Sequence, residues 1–327
     1  MGRAMGSAKR DGGPIRIGIS SCLLGQKVRY DGGHQRDAVI TDLFGRHFAW
    51  VPVCPEVESG MGVPREPVRL EGDPDRPNLV GVKTGADHTR KMERFSRARV
   101  KALQALGLSG YILKARSPSC GMARVKLYGE GGTFAGRKAT GIFARRLLTA
   151  MPHLPVEEEG RLRDPGIREN FITRVFCYHR WRSLVGGRFT RGRLVAFHTA
   201  HKFLLRAHSV ERLRRLGRLV ADAKRFTPAR LADRYEALFF ETLSRRATTK
   251  RHADVLTHMA GFFKQQLSKE EKAELAGLIE DFRQGLIPLV VPVTLLKHYV
   301  LKFQNAALAG QIYLNPHPKE LMLRNHV

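Results

Sequence analysis

The chain has 327 residues, 43% of them hydrophobic, enough to bury a full core and, by length, better suited to two domains than to one. Its 57 Lys and Arg against 30 Asp and Glu leave a net charge of +27, so a polyanionic partner is the default expectation for a soluble protein of this kind. A membrane span is excluded on length, because the longest apolar stretch, Leu286 to Leu296, is too short to cross and carries two prolines.

In chain order, Met1 to Pro14 has no apolar core of a signal peptide and reads as a flexible lead-in, which places the protein in the cytoplasm. Residues 1–13 are set apart as that flexible N-terminus. From there β-like runs alternate with helical stretches: Ile15 to Ser20, a helix-like Asp37 to His47, Phe48 to Val53, Asn78 to Lys83, a long helix from Asp87 to Leu106, Tyr111 to Lys114, and a helix from Thr140 to Met151 before Leu154 to Glu159. That rhythm implies βαβ crossovers and an α/β domain with a mostly parallel, Rossmann-like open sheet over residues 14–158. Beyond it strands vanish. Phe171 to Trp181, Leu194 to His208, Val210 to Lys224, Thr227 to Arg246, Arg251 to Leu267, Lys269 to Gln284 and Leu289 to Leu308 place apolar residues at three-and-four spacing, which predicts an all-α helical domain over residues 159–327. Pro155 to Pro165 is the expected linker.

Cys22, Cys54 and Cys120 each fall just after one of the strand-like runs. If those strands are parallel, their carboxyl ends share one edge of the sheet, the edge where such sheets build their sites. Three thiols far apart in sequence would then meet, as ligands of a metal or iron-sulfur centre with one position left open. Read from strand ends alone, a shared metal site and three unrelated buried thiols are equally good accounts.

The surrounding motifs are long and unusual: Ser21-Cys22-Leu23-Leu24-Gly25 running on to Val28-Arg29-Tyr30-Asp31-Gly32, Val53-Cys54-Pro55-Glu56-Val57 running on to Val63-Pro64-Arg65-Glu66-Pro67, and Ala115-Arg116-Ser117-Pro118-Ser119-Cys120-Gly121. Over Ile15 to Glu158 they resemble the TudS family of thiouracil desulfidases. Downstream, Asn170 to Trp181, Phe197 to Ser209 and Gln311 to His326 resemble the YbgA-type helical domain. The fusion of the two resembles the RudS-type desulfidases, which remove sulfur from 4-thiouridine in transfer RNA. The resemblance implies a 4Fe-4S cluster on Cys22, Cys54 and Cys120, and hydrolysis of the carbon–sulfur bond with release of sulfide and no electrons consumed. It also implies catalytic roles for Glu56, as the base that deprotonates water, and for Ser117, as a hydrogen-bond or proton donor. A loop carboxylate paired with Arg65 or Arg116, and a turn-capping serine, are the plainer readings of the same two residues.

Asp31 is a candidate for orienting the base, although Asp before Gly-Gly also suits a turn. Glu58 has only proximity to recommend it. Cys177 lies on an apolar helical face, and His198, His201 and His208 suit packing or phosphate contact better than metal binding. Arginines crowd the start of the helical domain, interleaved with aromatics. Arg191, Arg193, Lys202, Arg206, Arg212, Arg214, Arg215 and Arg218 are the candidate RNA-binding residues, since guanidinium forks suit phosphate oxygens. The expected partner is transfer RNA. The alternatives are a desulfidase of free thiobases and a nucleic-acid-binding protein with structural zinc on its cysteines.

Overall fold

The computed structural model describes residues 13–327, without the side chains of Glu130, Arg137 and Lys138; the flexible N-terminus expected from the sequence lies almost wholly outside the described residues. The chain divides into two compact units at Arg163/Asp164.

The first unit holds strands β1 (Arg16–Ser20), β2 (Ala49–Val53), β3 (Val68–Glu71), β4 (Asn78–Gly81), β5 (Gly110–Leu113), β6 (Val125–Tyr128), β7 (Phe134–Ala139) and β8 (Val156–Glu158), with helices α1 (Pro55–Glu58), α2 (Thr89–Ala105) and α3 (Ile142–Ala150). One sheet of four strands has the order β2-β1-β5-β8, and every pair in it is parallel. This is the Rossmann-like open sheet expected from the alternation. Ile17 and Ile19 of β1 and all of β5 are buried, the two-faced burial that parallel central strands require. Pro52 is tolerated because β2 lies at an edge, where a missing N–H leaves no ladder bond unmade.

The second sheet, β4-β3-β6-β7, is mixed. β3 pairs antiparallel with β4 and parallel with β6, and β6 pairs antiparallel with β7. Leu70, Leu79, Val125 and Leu127 pack there against Met92 of α2 and Ile142 of α3. Asn78 to Lys83, read as part of the parallel alternation, therefore belongs to a hairpin in this other sheet. Val156–Glu158, within the stretch expected as a linker, is the edge strand of the first sheet.

The second unit is helical: α4 (Pro165–Val185), α5 (Arg191–His208), α6 (Val210–Ala221), α7 (Pro228–Ser244), α8 (Thr249–Ala260), α9 (Lys269–Gln284), α10 (Val290–Lys302) and α11 (Ala306–Ala309). Asp164, Thr190, Ser209, Thr227, Thr248 and Ser268 each accept an N–H of the first turn that follows them, satisfying donors a helix start leaves orphaned. The core is aromatic. Trp181 is fully buried and stacks on Tyr235 at 5.3 Å between ring centroids, with Phe197 edge-on at 5.5 Å. The C-terminal segment is pinned by charge: Arg324 and His317 approach the buried Glu169 carboxylate at 3.5 and 3.8 Å. Burial would raise the Glu169 pKa, but these two partners hold it well below the usual carboxylate range. Among the described residues no helix is long and apolar enough to cross a membrane.

In β1, a Cβ at Gly18 would overlap the ring of Tyr111 in β5, which is fully buried. Gly18→Ala is therefore expected to cost roughly 1–3 kcal/mol, the usual range for overpacking a tight core. A thermal unfolding transition unmoved by this substitution would show that the β1–β5 contact is looser than described.

Candidate functional site

Each cysteine loop begins where a strand of the parallel sheet ends. β1 runs straight into a 3-10 turn, Ser21–Leu24, which carries Cys22 and closes on Gly25 at φ +90°, a backbone glycine adopts without steric cost. Cys54 is the N-cap of α1, and its N–H donates to Glu58 Oε1 at 2.8 Å. Glu58 also pairs with Arg99 at 3.0 Å, so it braces the turn. After β5 the chain loops to Cys120, with the N–H groups of Ser119 and Cys120 donating to Ser117 Oγ at 3.3 and 3.2 Å. The first N–H groups of α3 grip the same loop, Phe143 N–H donating to the Ser119 carbonyl at 3.0 Å. Gly141 allows that approach, since a Cβ there would stand 2.6 Å from the Ser119 carbonyl oxygen. Ser20, at the end of β1, reaches the segment after β5: its Oγ accepts the Lys114 N–H at 2.9 Å, and its side chain works against the rise in the Cys120 thiol pKa.

The three thiols line a single cavity of about 390 Å³, together with Glu56, Ser117, Arg29, Tyr30, Arg65 and Lys114. Among the described residues no three His, Cys, Asp or Glu side chains gather closely enough to hold one metal ion. Burial pushes the Cys22 thiol up to about 11, with the neighbouring Cys54 adding to the rise and Lys114 and Arg29 opposing it. Burial also raises Cys54, with Arg65 opposing, and raises Cys120 well above the ordinary thiol value.

Both carboxylate oxygens of Glu56 are engaged. Oε2 accepts from Arg65 Nε and Nη2 at 3.0 and 2.5 Å, and Oε1 accepts from Ser119 Oγ at 3.0 Å. The pair is enclosed, with side chains 14% and 6% exposed. The Arg65 partner weighed for a merely structural Glu56 is thus present, and the carboxylate lines the cavity as well. Ser117 caps its turn as an acceptor, which leaves its own proton out of those two bonds. Asp31 does not line the cavity. It accepts the Gly33 N–H at 2.9 Å and faces Arg29 at 3.5 Å, a turn residue about half exposed.

Arg65, Ser119, Lys114 and Tyr30 were not singled out from sequence as site residues, although all four lie in or beside the cysteine motifs. The lysine is paired with Glu159, which follows β8. Only the fold brings that glutamate, and Arg65, to the cavity rim.

In the helical unit, Cys177 is buried in α4. His201 stacks on Phe197 at 4.0 Å, with burial lowering its pKa to about 3; His198 bonds the Tyr235 hydroxyl at 3.1 Å and His208 the Arg245 carbonyl at 2.5 Å. His201 and His208 are buried and serve packing, and His198 is half-buried. The candidate RNA-binding cations divide in two. Arg212 is buried and paired with Glu241 at 2.5 Å, and Arg206 pairs with Asp254 at 2.8 Å. Arg191 and Arg193 donate to the carbonyls of Ala223 and Arg188 at 3.0 and 2.7 Å, and Lys202 lies over the Phe203 ring. Arg214, Arg215 and Arg218 are exposed along one face of α6 and have no side-chain hydrogen bond or ion pair among the described residues.

A parallel α/β unit with three cysteines around one cavity at the strand ends, joined to a helical unit, defines the class. Residues 17–159 match the family described as 2-thiouracil desulfurase, and residues 202–318 match a protein family of unknown function, DUF1722. The chain is 32% identical over 160 residues to the uncharacterized protein YbgA of Escherichia coli strain K12, covering 94% of it and 48% of this chain. It is also 32% identical over 151 residues to the uncharacterized protein YbbK of Bacillus subtilis strain 168, covering 97% of that protein and 45% of this chain. A solved structure, that of the [4Fe-4S]-dependent thiouracil desulfidase TudS, matches 46% of this chain and 94% of its own at 27% identity, with a TM-score of 0.36. The chain belongs to the 2-thiouracil desulfurase family in its first unit and to the DUF1722 family in its second.

Arg65→Ala and Glu56→Gln should each destabilise the first unit in chemical unfolding, by up to roughly 3–5 kcal/mol, because each leaves the enclosed charge of the other without its partner. Costs below about 1 kcal/mol for both would show that the pair is solvated. In metal-free protein, the rate of Cys22 alkylation should go on rising above the ordinary thiol value of 9.0 toward about 11, followed by peptide mapping across pH. A plateau near 9.0 would mean that the thiol is not desolvated.

Proposed function

We propose that the protein is a transfer RNA 4-thiouridine desulfidase, converting 4-thiouridine and water to uridine and hydrogen sulfide. The observation that carries this reading is the single cavity shared by Cys22, Cys54, Cys120, Glu56 and Ser117 in a unit of the 2-thiouracil desulfurase family.

The donor set fits an iron-sulfur cluster: three thiols, none in a disulfide, around a space wide enough for a group of several atoms. Bound on Cys22, Cys54 and Cys120, such a cluster would leave one iron without a protein ligand and supply a thiophilic Lewis acid for the exocyclic sulfur. Because burial holds the thiols protonated, loading it releases protons, and Lys114, Arg29 and Arg65 offset the negative charge that results.

Glu56 takes the proton of the water that attacks the thiolated ring carbon. Arg65 and Ser119 hold its carboxylate in one orientation. Ser117, anchored by the N–H groups of Ser119 and Cys120, donates its hydroxyl proton to the ring nitrogen or to the oxygen that develops negative charge. Water adds, hydrogen sulfide departs, and no electron is transferred. In the helical unit, the exposed Arg214, Arg215 and Arg218 bind RNA phosphates, while Arg212 and Arg206 hold the fold.

Anaerobically reconstituted protein incubated with 4-thiouridine-containing transfer RNA should bleach the thiocarbonyl absorbance and release sulfide. Cys120→Ala should lose cluster and activity together, and Glu56→Ala should keep the cluster while losing activity. Bleaching by the Glu56 variant at the wild-type rate would remove Glu56 from the base role. Arg214, Arg215 and Arg218 replaced together by Ala should lower RNA affinity and reduce the salt slope by up to about three, roughly one for each phosphate that is no longer neutralised. Activity on free thiouracil alone would turn the assignment to a free-base desulfidase, and a colourless protein holding zinc would turn it to a binding protein.

A further inference from the structure

The long helix of the first unit, α2, carries six cations and a single carboxylate, Glu93, and its cations divide by face. Met92, Ser96, Val100 and Leu103 are buried, and Met92 packs on Leu70 and Leu79 of the mixed sheet. Two of the cations serve the fold. Lys91 Nζ donates to the Gly60 carbonyl at 2.9 Å, and Arg99 donates to the Pro52 carbonyl at 3.3 Å and pairs with Glu58 at 3.0 Å. Glu58 and Gly60 both follow Cys54, so these bonds clamp α2 to the loop that carries that thiol.

The other four, Arg90, Arg94, Arg97 and Lys101, recur at intervals of four, three and four residues and are all exposed. That spacing sets them in one row on the side of the helix opposite its buried residues. At 1.5 Å per residue the row is about 16 Å long. Arg94, Arg97 and Lys101 form no side-chain hydrogen bond or ion pair among the described residues, and Arg90 has only the charge of nearby Asp87. Glu93 faces Arg145 at 3.9 Å and does not neutralise the row.

Charge alone would suit any polyanion, but the surroundings of the row are selective. A protein partner needs an apolar centre to its interface, and a helix that lies on a membrane needs an apolar face turned to the lipid. α2 offers neither, because its apolar side is in the core and the apolar residues exposed beside the row are Ala98 and Ala102. What remains is the sequence-independent attraction of arginine and lysine for a phosphodiester backbone. We propose that this row is an RNA-binding surface on the first unit itself, holding phosphates of the RNA whose thiolated base enters the cysteine cavity; this rests on the RNA reading above. Because α2 is clamped to the Cys54 loop, phosphates held along it stand in fixed register with the thiols.

The test uses the full chain and a triple variant, Arg94→Gln with Arg97→Gln and Lys101→Gln, since glutamine removes the charge and keeps a good helix propensity. A second variant, Arg94→Lys with Arg97→Lys, keeps the charge. Fluorescence anisotropy with unthiolated transfer RNA, at several KCl concentrations, separates binding from catalysis. The triple variant should bind at least about tenfold more weakly at low salt. Its slope of log affinity against log salt should fall by roughly two to three, about 0.7 to 0.9 for each phosphate no longer neutralised. The lysine variant should keep the wild-type slope. In turnover, kcat/KM on 4-thiouridine-containing transfer RNA should fall in the triple variant relative to kcat/KM on free 4-thiouracil, through KM. Wild-type affinity and slope in the triple variant overturn the proposal, as does a loss confined to phosphatidylserine vesicles. An equal loss of slope in the lysine variant overturns it too, because the row would then act through shape and not through charge. RNA affinity lost in the triple variant, without sulfide release by any form, would uphold the surface and overturn the desulfidase reading. Sulfide release from free 4-thiouracil by a wild type that binds no RNA would overturn the surface and leave the carbon–sulfur chemistry standing, so the two fail separately.

Discussion

The parallel pairing of β1 between β2 and β5 is the constraint on which the site depends. Register fixes it: Ser20 stands opposite Val53, and Ile19 opposite Ile112. The three strands therefore end at one edge, and the residues that follow them are neighbours however far apart they lie in sequence. After β1 the chain goes to β2 on one side, and β5 and β8 then build outward on the other. That reversal is the topological switch point at which open α/β sheets form their crevices. Ser20 joins two of those strand ends at the atomic level, its hydroxyl at the end of β1 accepting the Lys114 N–H that follows β5.

Chemical consequences follow from enclosing so many titratable groups there. Thiols out of water resist ionisation, and carboxylates out of water need partners. The second demand is met in and around the cavity: Arg65, in its wall, and Ser119, behind it, hold Glu56, while Lys114 of the wall pairs with Glu159 and Arg99 with Glu58 outside it. The first is met only partly, since Lys114, Arg29 and Arg65 lower the thiol pKa values without reversing the effect of burial. Such thiols are slow nucleophiles and become good ligands only when something that prefers thiolate displaces their protons.

Much of this was legible in the sequence, for a reason that can be stated. Strands buried on both faces write continuous apolar runs, so Ile15 to Ser20 and Tyr111 to Leu113 announced themselves, and the cysteines after them could be placed on one edge. β3, β6 and β7 wrote no such signal. Val68–Glu71 and Val125–Tyr128 are four residues long and alternate apolar with charged side chains, too short a pattern to separate from a loop. The engagement of Glu56 by Arg65 was weighed from sequence, but its second partner, Ser119, comes from another strand end and depends on the fold. Asp31 shows the opposite failure: it stands within a cysteine motif, yet its bond to the Gly33 N–H turns it away from the cavity lining.

Net charge was legible as a total and misleading as a map. Thirteen cations crowd the first helices of the second unit in sequence, and a run of arginines looks like one surface. Arg212, however, is buried against Glu241, Arg180 donates to the Pro316 carbonyl at 2.7 Å, and Arg324, at the far end of the unit, is drawn inward to Glu169. An arginine can serve as a polar strut because its fork reaches several carbonyls while its stem packs with apolar neighbours. What is left on α6, Arg214, Arg215 and Arg218, follows helical spacing on the face opposite the buried Arg212 and Leu216. An exposed basic ridge and a structural strut thus alternate along one helix, and burial, which sequence composition does not record, decides which arginine is which.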